Sequence, residues 1–365
     1  MNLSRPLRLG IIALTAVAFC ALASGAAAKT IVVKPHHSIQ AAIDKAKPGD
    51  KIVVQRGTYH EALVITTNRL TLSGHSAVLK PPASGPTTPC SELDPSGVTG
   101  ICVAGSFTLG TSGPTPGSPV ERVTIFGITV EQFSGNGILG FNTHKLTVSH
   151  TRLLDNGSYG VFSNTSSGTR YLHNVSRGNH APGLYIGDSP DAHSLVLGNR
   201  STNNLGEGLL VRSADFGTIR DNVFTGNCAG IFVLADSPGP ATNWSVRDNS
   251  VRKNNNACPG DAGEGEPPVS GIGIGLFGAA STSVTNNHVT GNSNGSNASV
   301  GSGGILVMTL PGGSTAPAND TVKNNHVFGN SPFDLFWDQT GTVKFTANHC
   351  NTSSPSGLCK KNKKK

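Results

Sequence analysis

Three histidines, His288, His326 and His349, each follow an Asn, at steps of 38 and 23 residues. Imidazoles repeated at fixed steps are either candidate metal ligands or rings stacked along a repeating structure. The segment GEGEP at 263–267 is acidic and loop-like, a candidate for Ca²⁺. Six cysteines follow the leader: Cys90, Cys102, Cys228, Cys258, Cys350 and Cys359. An even number in an exported chain points to disulfides, and none shows the CxxC spacing of a zinc site.

The histidines belong to a longer pattern. NNHVTGN at 286–292 and NNHVFGN at 324–330 are two copies of one unit. Its frame is an apolar residue, a polar residue three later and an Asn five beyond. That frame recurs as Val148–Thr151–Asn156, Tyr171–Asn174–Asn179, Val196–Asn199–Asn204, Ile219–Asn222–Asn227, Val246–Asn249–Asn254, Val284–Asn287–Asn292 and Val322–Asn325–Asn330. The commonest step is 23 residues, and the two copies 38 apart hold an insertion of 15. Most units continue with Gly and an aliphatic residue, as at Gly160-Val161 and Gly208-Leu209. Three short β runs and three turns fill such a unit and leave no room for a helix. No unit can bury its own apolar side, so the units must stack. A leucine-rich repeat would need an apolar residue where Asn222 stands, and that template fails in most units.

Composition agrees. The chain has 365 residues, 46 Gly, 22 Pro and only 13% charged residues, which suits many short strands joined by turns. Residues 1–28 read as a signal peptide: Arg5 and Arg8, then IIALTAVAFCALA, then Ala26–Ala28 before Lys29. A lipid anchor at Cys20 is the rival, but Phe19 is large for the position before an anchored Cys. No later stretch is long and apolar enough to span a membrane. The net charge of +7 resides in the leader arginines and the terminal KKNKKK, so the body is near neutral and gives no support for a nucleic-acid-binding domain. The expected organisation is a signal peptide (1–28), a single stacked β domain (29–355) and a basic disordered tail (356–365).

A three-strand coil of this period resembles the right-handed parallel β-helix of the pectin-lyase-like superfamily, over about residues 30–355. The opening SIQAAIDKAKPGDKIVVQRGTYHEALVI (38–65) resembles the entry to that fold. Its helix, expected over 38–47, starts at Ser38, presents Ile39, Ala42, Ile43 and Ala46 on one face, and covers the end of the coil. The resemblance implies a tight turn between second and third strands, with Asn in the left-handed conformation and its amide bonded from coil to coil. The disulfides expected from it pair sequence neighbours: Cys90–Cys102, Cys228–Cys258 and Cys350–Cys359.

The same resemblance implies a polysaccharide groove across the outer face of the first strand of each coil. Insertions at 81–99, 255–270 and 293–303 precede that strand, and those at 106–119, 235–241 and 309–318 follow it. Its outward row is Leu139, Phe162, Tyr185, Leu210, Phe232, Leu306 and Phe336, with Phe141, Asn164, Arg212, Leu234 and Met308 beside it. Phe162, Tyr185 and Phe232 are the candidate sugar-stacking residues; the same rings suit a protein partner or a folded-over loop equally. Arg212, Asp215 and Asp236 are the candidate catalytic residues, and Asp188, Asp215 and Asp236 a candidate Ca²⁺ set. The alternative is that these aspartates only hold turns. The NTD, DD, GHG and RIK pattern of polygalacturonases and the DPH motif of mannuronan epimerases are absent, with GFNTHK (140–145) a distant echo. The expectation is a secreted monomer that acts on or binds an extracellular, acidic polysaccharide as a lyase-type enzyme, or a non-catalytic surface β-helix that binds glycan or protein.

Overall fold

The computed structural model describes residues 27–95, 97–111, 113–236, 239–260, 267–295, 298–310, 313 and 315–360. The expected signal peptide, all but Pro267 of GEGEP and the last five residues fall wholly or almost wholly outside them. Among the described residues the chain forms three long parallel sheets, of 11, 12 and 11 strands, wound as a solenoid. One coil runs Ile138–Phe141 in the first sheet, Thr147–Ser149 in the second and Arg152–Leu154 in the third. Each strand pairs in parallel with its counterpart one coil on, for example Val148 with Tyr171, then Val196, then Ile219. The inward rows, such as Ile138, Val161, Leu184 and Leu209, are fully buried.

The corners rest on asparagine. Asn174, Asn199, Asn222, Asn249, Asn287, Asn325 and Asn348 form a buried ladder, each Nδ2 donating to the next Oδ1 at 2.9–3.0 Å. The left-handed residue of this turn is the one before the ladder Asn, not the Asn itself: His173, Gly198, Asp221, Asp248, Asn286, Asn324 and Ala347 have positive φ, as does His150 before Thr151 at the same place one coil earlier. A ladder Asn must aim its amide along the stack, and the preceding residue absorbs the reversal. A second ladder, Asn156, Asn179, Asn204, Asn227, Asn254, Asn292 and Asn330, runs along the far side of the third sheet and ends on Asp334 at 3.1 Å. The motif quoted above therefore carries one rung of each ladder, Asn287 and Asn292.

A helix at Ile39–Lys45 covers the first coil, with Ile39, Ala42 and Ile43 buried. Ser38 caps it, and Glu61 accepts from the backbone of Ile39 and Gln40 at 2.8 and 3.0 Å. It ends at Lys45 with Ala46 as its C-cap, two residues short of the expected end at 47. A second short helix, Pro89–Leu93, which repeat spacing does not announce, lies in the 81–99 insertion. Residues 356–360 are not a free tail: Leu358 packs on the core, and the Lys360 amide donates to Asn348 at 2.7 Å. The three disulfides are Cys90–Cys102, Cys228–Cys258 and Cys350–Cys359.

Two outcomes follow. Asn222→Ala removes partners of the Asn199 amide and the Val196 carbonyl. It should lower unfolding free energy by roughly 1–3 kcal/mol for each buried group left unsatisfied, read by denaturant melts. Asp320 is 1% exposed; burial pushes its pKa up to about 7, against the opposing hydrogen bond from the Thr282 amide. A carboxyl raised in the folded state stabilises below its unfolded pKa, near 4, and that contribution is lost as pH rises through about 7. Asp320→Asn should therefore gain stability over the native chain between pH 4 and 7; parallel pH–stability curves would refute the assignment.

Candidate functional site

The strands Leu184–Ser189, Leu209–Ala214 and Ala229–Leu234 are adjacent in the first sheet. The expected outward row is in register along it, Leu139, Phe162, Tyr185, Leu210, Phe232, then Gly275, Leu306 and Phe336. Gly275, absent from the expected row, has no side chain because Phe232 and Phe277 fill its place in an edge-to-face pair at 4.5 Å.

This row is not an open floor. Tyr185 is 3% exposed and Phe232 4%, and Phe162 stacks on Tyr185 at 4.5 Å. They belong to a second apolar core outside the solenoid, shared with Cys228, Val269, Leu306 and Leu310. The insertions fold back onto the sheet, and the Cys228–Cys258 disulfide ties one of them down. A smaller core of Cys90, Cys102, Leu139 and Phe141 lies at the other end, under the second helix and Phe107. Phe162 and Tyr185 thus serve as packing for loops rather than as an exposed sugar platform, and Phe232 packs with them while turning one edge to the cleft beside them.

Beside this row, at the loop margin, lies a cleft of about 160 Å³. Leu210, Phe232 and Leu234 make its apolar wall, and Glu207, Arg212 and Asp236 its charged groups. Arg212 Nε donates to both oxygens of Asp236, at 2.9 and 3.0 Å, and the Ser213 hydroxyl donates to Asp236 Oδ1 at 3.1 Å. Burial by itself would lower the Arg212 pKa, but the charges of Asp236, Tyr185 and Asp188 outweigh it, so the guanidinium is held protonated. Burial, and then the charge of Asp188, push the Tyr185 phenol up, against the influence of Arg212. Gly187 lets the Tyr185 ring lie along the strand toward Arg212, since any Cβ there would meet the phenol oxygen.

Arg212, Asp236 and Tyr185 are therefore brought together as the sequence suggests. Asp215 is not: its Oδ1 accepts from the Thr242 amide at 2.7 Å, a turn role. Asp188 Oδ2 accepts from Asn164 at 2.8 Å. The Ca²⁺ set does not form, and among the described residues no three His, Cys, Asp or Glu side chains converge as a metal site. The reason is register: Asp188 stands level with Ser213, Asp236 level with Ala214, and Asp215 one residue further on. His288, His326 and His349 are neighbours in the third sheet, and the last two rings stack at 4.8 Å. Glu207 escaped sequence reasoning; its one signal was a carboxylate between two glycines in a charge-poor chain.

The comparisons agree with this architecture. Residues 61–251 match the right-handed β-helix region family, and the chain belongs to it. No curated protein sequence matches the chain. Among solved structures, it is similar to the A-module of the Azotobacter vinelandii mannuronan C-5 epimerase AlgE4, with 17% identity, TM-score 0.57, and 87% of this chain and 91% of that one covered. The periplasmic alginate epimerase AlgG aligns with 15% identity, TM-score 0.54, and coverage of 88% and 84%. PfbA, a surface adhesin of Streptococcus pneumoniae, aligns with 12% identity, TM-score 0.53, and coverage of 87% and 86%. At these identities the likeness is one of fold.

Because Phe232 is packing, Phe232→Ala should destabilise the protein by about 3–5 kcal/mol, as for a core aromatic. Denaturant unfolding measures it; a change below about 1 kcal/mol would mean an exposed ring.

Proposed function

We propose that the protein is exported and binds a polysaccharide, admitting one uncharged sugar unit to the cleft at Arg212. The observation that carries this is the composition of that cleft: an apolar wall beside Glu207, Asp236 and Arg212. Sugar rings offer apolar faces to such a wall and hydroxyls to carboxylates, which accept strong hydrogen bonds. The lining holds the Arg212–Asp236 pair and a second carboxylate, Glu207. A uronate would meet two carboxylates beside one guanidinium there. Polysaccharide-related names among the solved relatives, and three disulfides, support the exported, glycan-directed part of the reading.

A lyase-type elimination is less well supported. It needs a base, and Arg212 and Tyr185 are both held toward their protonated forms. Pectin-lyase-like chemistry on this chain would use Arg212 to stabilise developing negative charge, not to abstract a proton.

Titration of the full chain with panels of neutral and uronate oligosaccharides tests the reading. A neutral member should bind, and Asp236→Asn or Glu207→Gln should weaken it about tenfold, the loss of one charge-assisted contact. Binding confined to uronates, or release of unsaturated ends seen by ultraviolet absorbance, would overturn it. Arg212→Ala would then be expected to lower the rate about a hundredfold.

A further inference from the structure

The outer face of the third sheet differs from the other two. Arg152, Val175, Arg200, Val223, Ser250 and His288 follow one another in register along it, one per coil. Beside them runs a second row with Arg177 at one end and Arg252 at the other, separated by Thr202 and Thr225. All four arginines and His288 are exposed. None of the four takes part in an ion pair among the described residues. On the second sheet, by contrast, Arg220 and Arg247 are each neutralised by the next residue, Asp221 at 2.6 Å and Asp248 at 2.8 Å. The acidic groups on or beside the third face are Glu131, already paired with Lys80 at 3.2 Å, and the corner residues Asp155, Asp221 and Asp248, the last two paired with Arg220 and Arg247.

The face is also open over most of its length. The turns that enter it are short in every coil, and those that leave it after Leu154, Arg177, Thr202 and Thr225 are short too, with left-handed Gly178 and Gly226 among them. The insertions at 255–270 and 293–303 follow its exit beyond the Asn254 and Asn292 rungs and fold toward the first sheet, where Val269 and Val300 pack. With coils stacked at about 4.8 Å, Arg152 and Arg200 stand about 10 Å apart, and Arg177 and Arg252 about 14 Å apart.

We propose that this face binds a linear acidic polysaccharide, lying along the solenoid axis with its carboxylates on Arg152, Arg177, Arg200 and Arg252. Guanidinium groups pair with carboxylates in forked geometry and are weakly hydrated, so they lose little on contact. The uncharged residues between them, Val175, Val223, Thr202 and Thr225, allow sugar rings to lie flat. Spaced single charges suit a stiff chain with one charge per unit. Single-stranded nucleic acid needs stacking aromatics between the cations, and an anionic membrane needs clustered lysines and arginines. The surface is separate from the cleft and independent of the reading given for it.

The test compares the full-length protein with Arg152→Gln/Arg177→Gln/Arg200→Gln/Arg252→Gln, the terminal lysines being present in both. Probes are polygalacturonate, dextran, phosphatidylserine-containing vesicles and a single-stranded oligonucleotide, at 20 and 200 mM salt on the order of the screening range. Polygalacturonate should bind the native chain, more weakly at high salt, and the quadruple variant at least about tenfold less, at unchanged melting temperature. Dextran should not bind this face. Should the quadruple variant not fold, the exposed pair Arg152→Gln/Arg200→Gln must still weaken binding. Equal binding by variant and native protein, or tighter binding of vesicles or oligonucleotide than of polygalacturonate, would overturn the proposal. Neutral-sugar binding in the cleft, if seen, should survive the quadruple change, so the two readings fail separately.

Discussion

The asparagine ladder is the interaction on which the rest of the molecule depends. A buried primary amide that lacks partners is strongly unfavourable, yet here each one donates to the next coil and to a carbonyl, and accepts from the coil before. The arrangement is satisfied only if successive coils stay in register, so the ladders convert a local turn preference into a long-range alignment. The inward apolar rows then stack like on like, and the outward rows become lines of side chains about 4.8 Å apart.

The two ladders also decide where the protein can vary. They flank the third sheet, at both of its corners, and insertions there would interrupt a rung. The turn into the third sheet stays short in every coil, whereas the turn from the third sheet to the first keeps its Asn rung and takes up extra residues only after it, as after Asn254 and Asn292. Those segments bury the outer face of the first sheet under a second core, whereas the third sheet stays bare. The molecule therefore presents two unlike surfaces, a small cleft at a loop margin lined by Arg212, Asp236 and Glu207, and a flat face of arginines without an ion pair among the described residues.

The electrostatics of Arg212 show how much a neighbour one coil away matters. An arginine on an apolar sheet face looks like an anion receptor. Asp236 sits two residues beyond Leu234, which stands level with Arg212, and its carboxylate takes both hydrogen bonds from Nε. The pair is polar and its two charges oppose each other, so Arg212 does not stand as a lone cation. The same single-residue offsets separate Asp188, Asp215 and Asp236 and prevent a cation site.

Much of this was legible in the residues. The 23-residue period, the Gly-aliphatic starts and the repeated Asn define the coil, its three strands and the register of the first sheet, because stacked identical units must align identical positions. The neighbour pairing of cysteines was implied by the resemblance to the β-helix fold, and the meeting of Arg212, Asp236 and Tyr185 by the register read within that fold. The residue before each ladder Asn takes the left-handed turn, a matter of backbone geometry that Asn content does not reveal. Whether Phe162, Tyr185 and Phe232 face solvent or a loop was equally beyond the sequence, since an outward aromatic has the same pattern in both cases. Only the folded insertions decided it, because their apolar residues Val269 and Leu310 come from segments without periodicity and find the sheet only in three dimensions. Glu207 reached the cleft, and the arginines of the third sheet stood free of partners, for the same reason: burial and pairing depend on what lies one coil away, while sequence spacing states only which residues share a row.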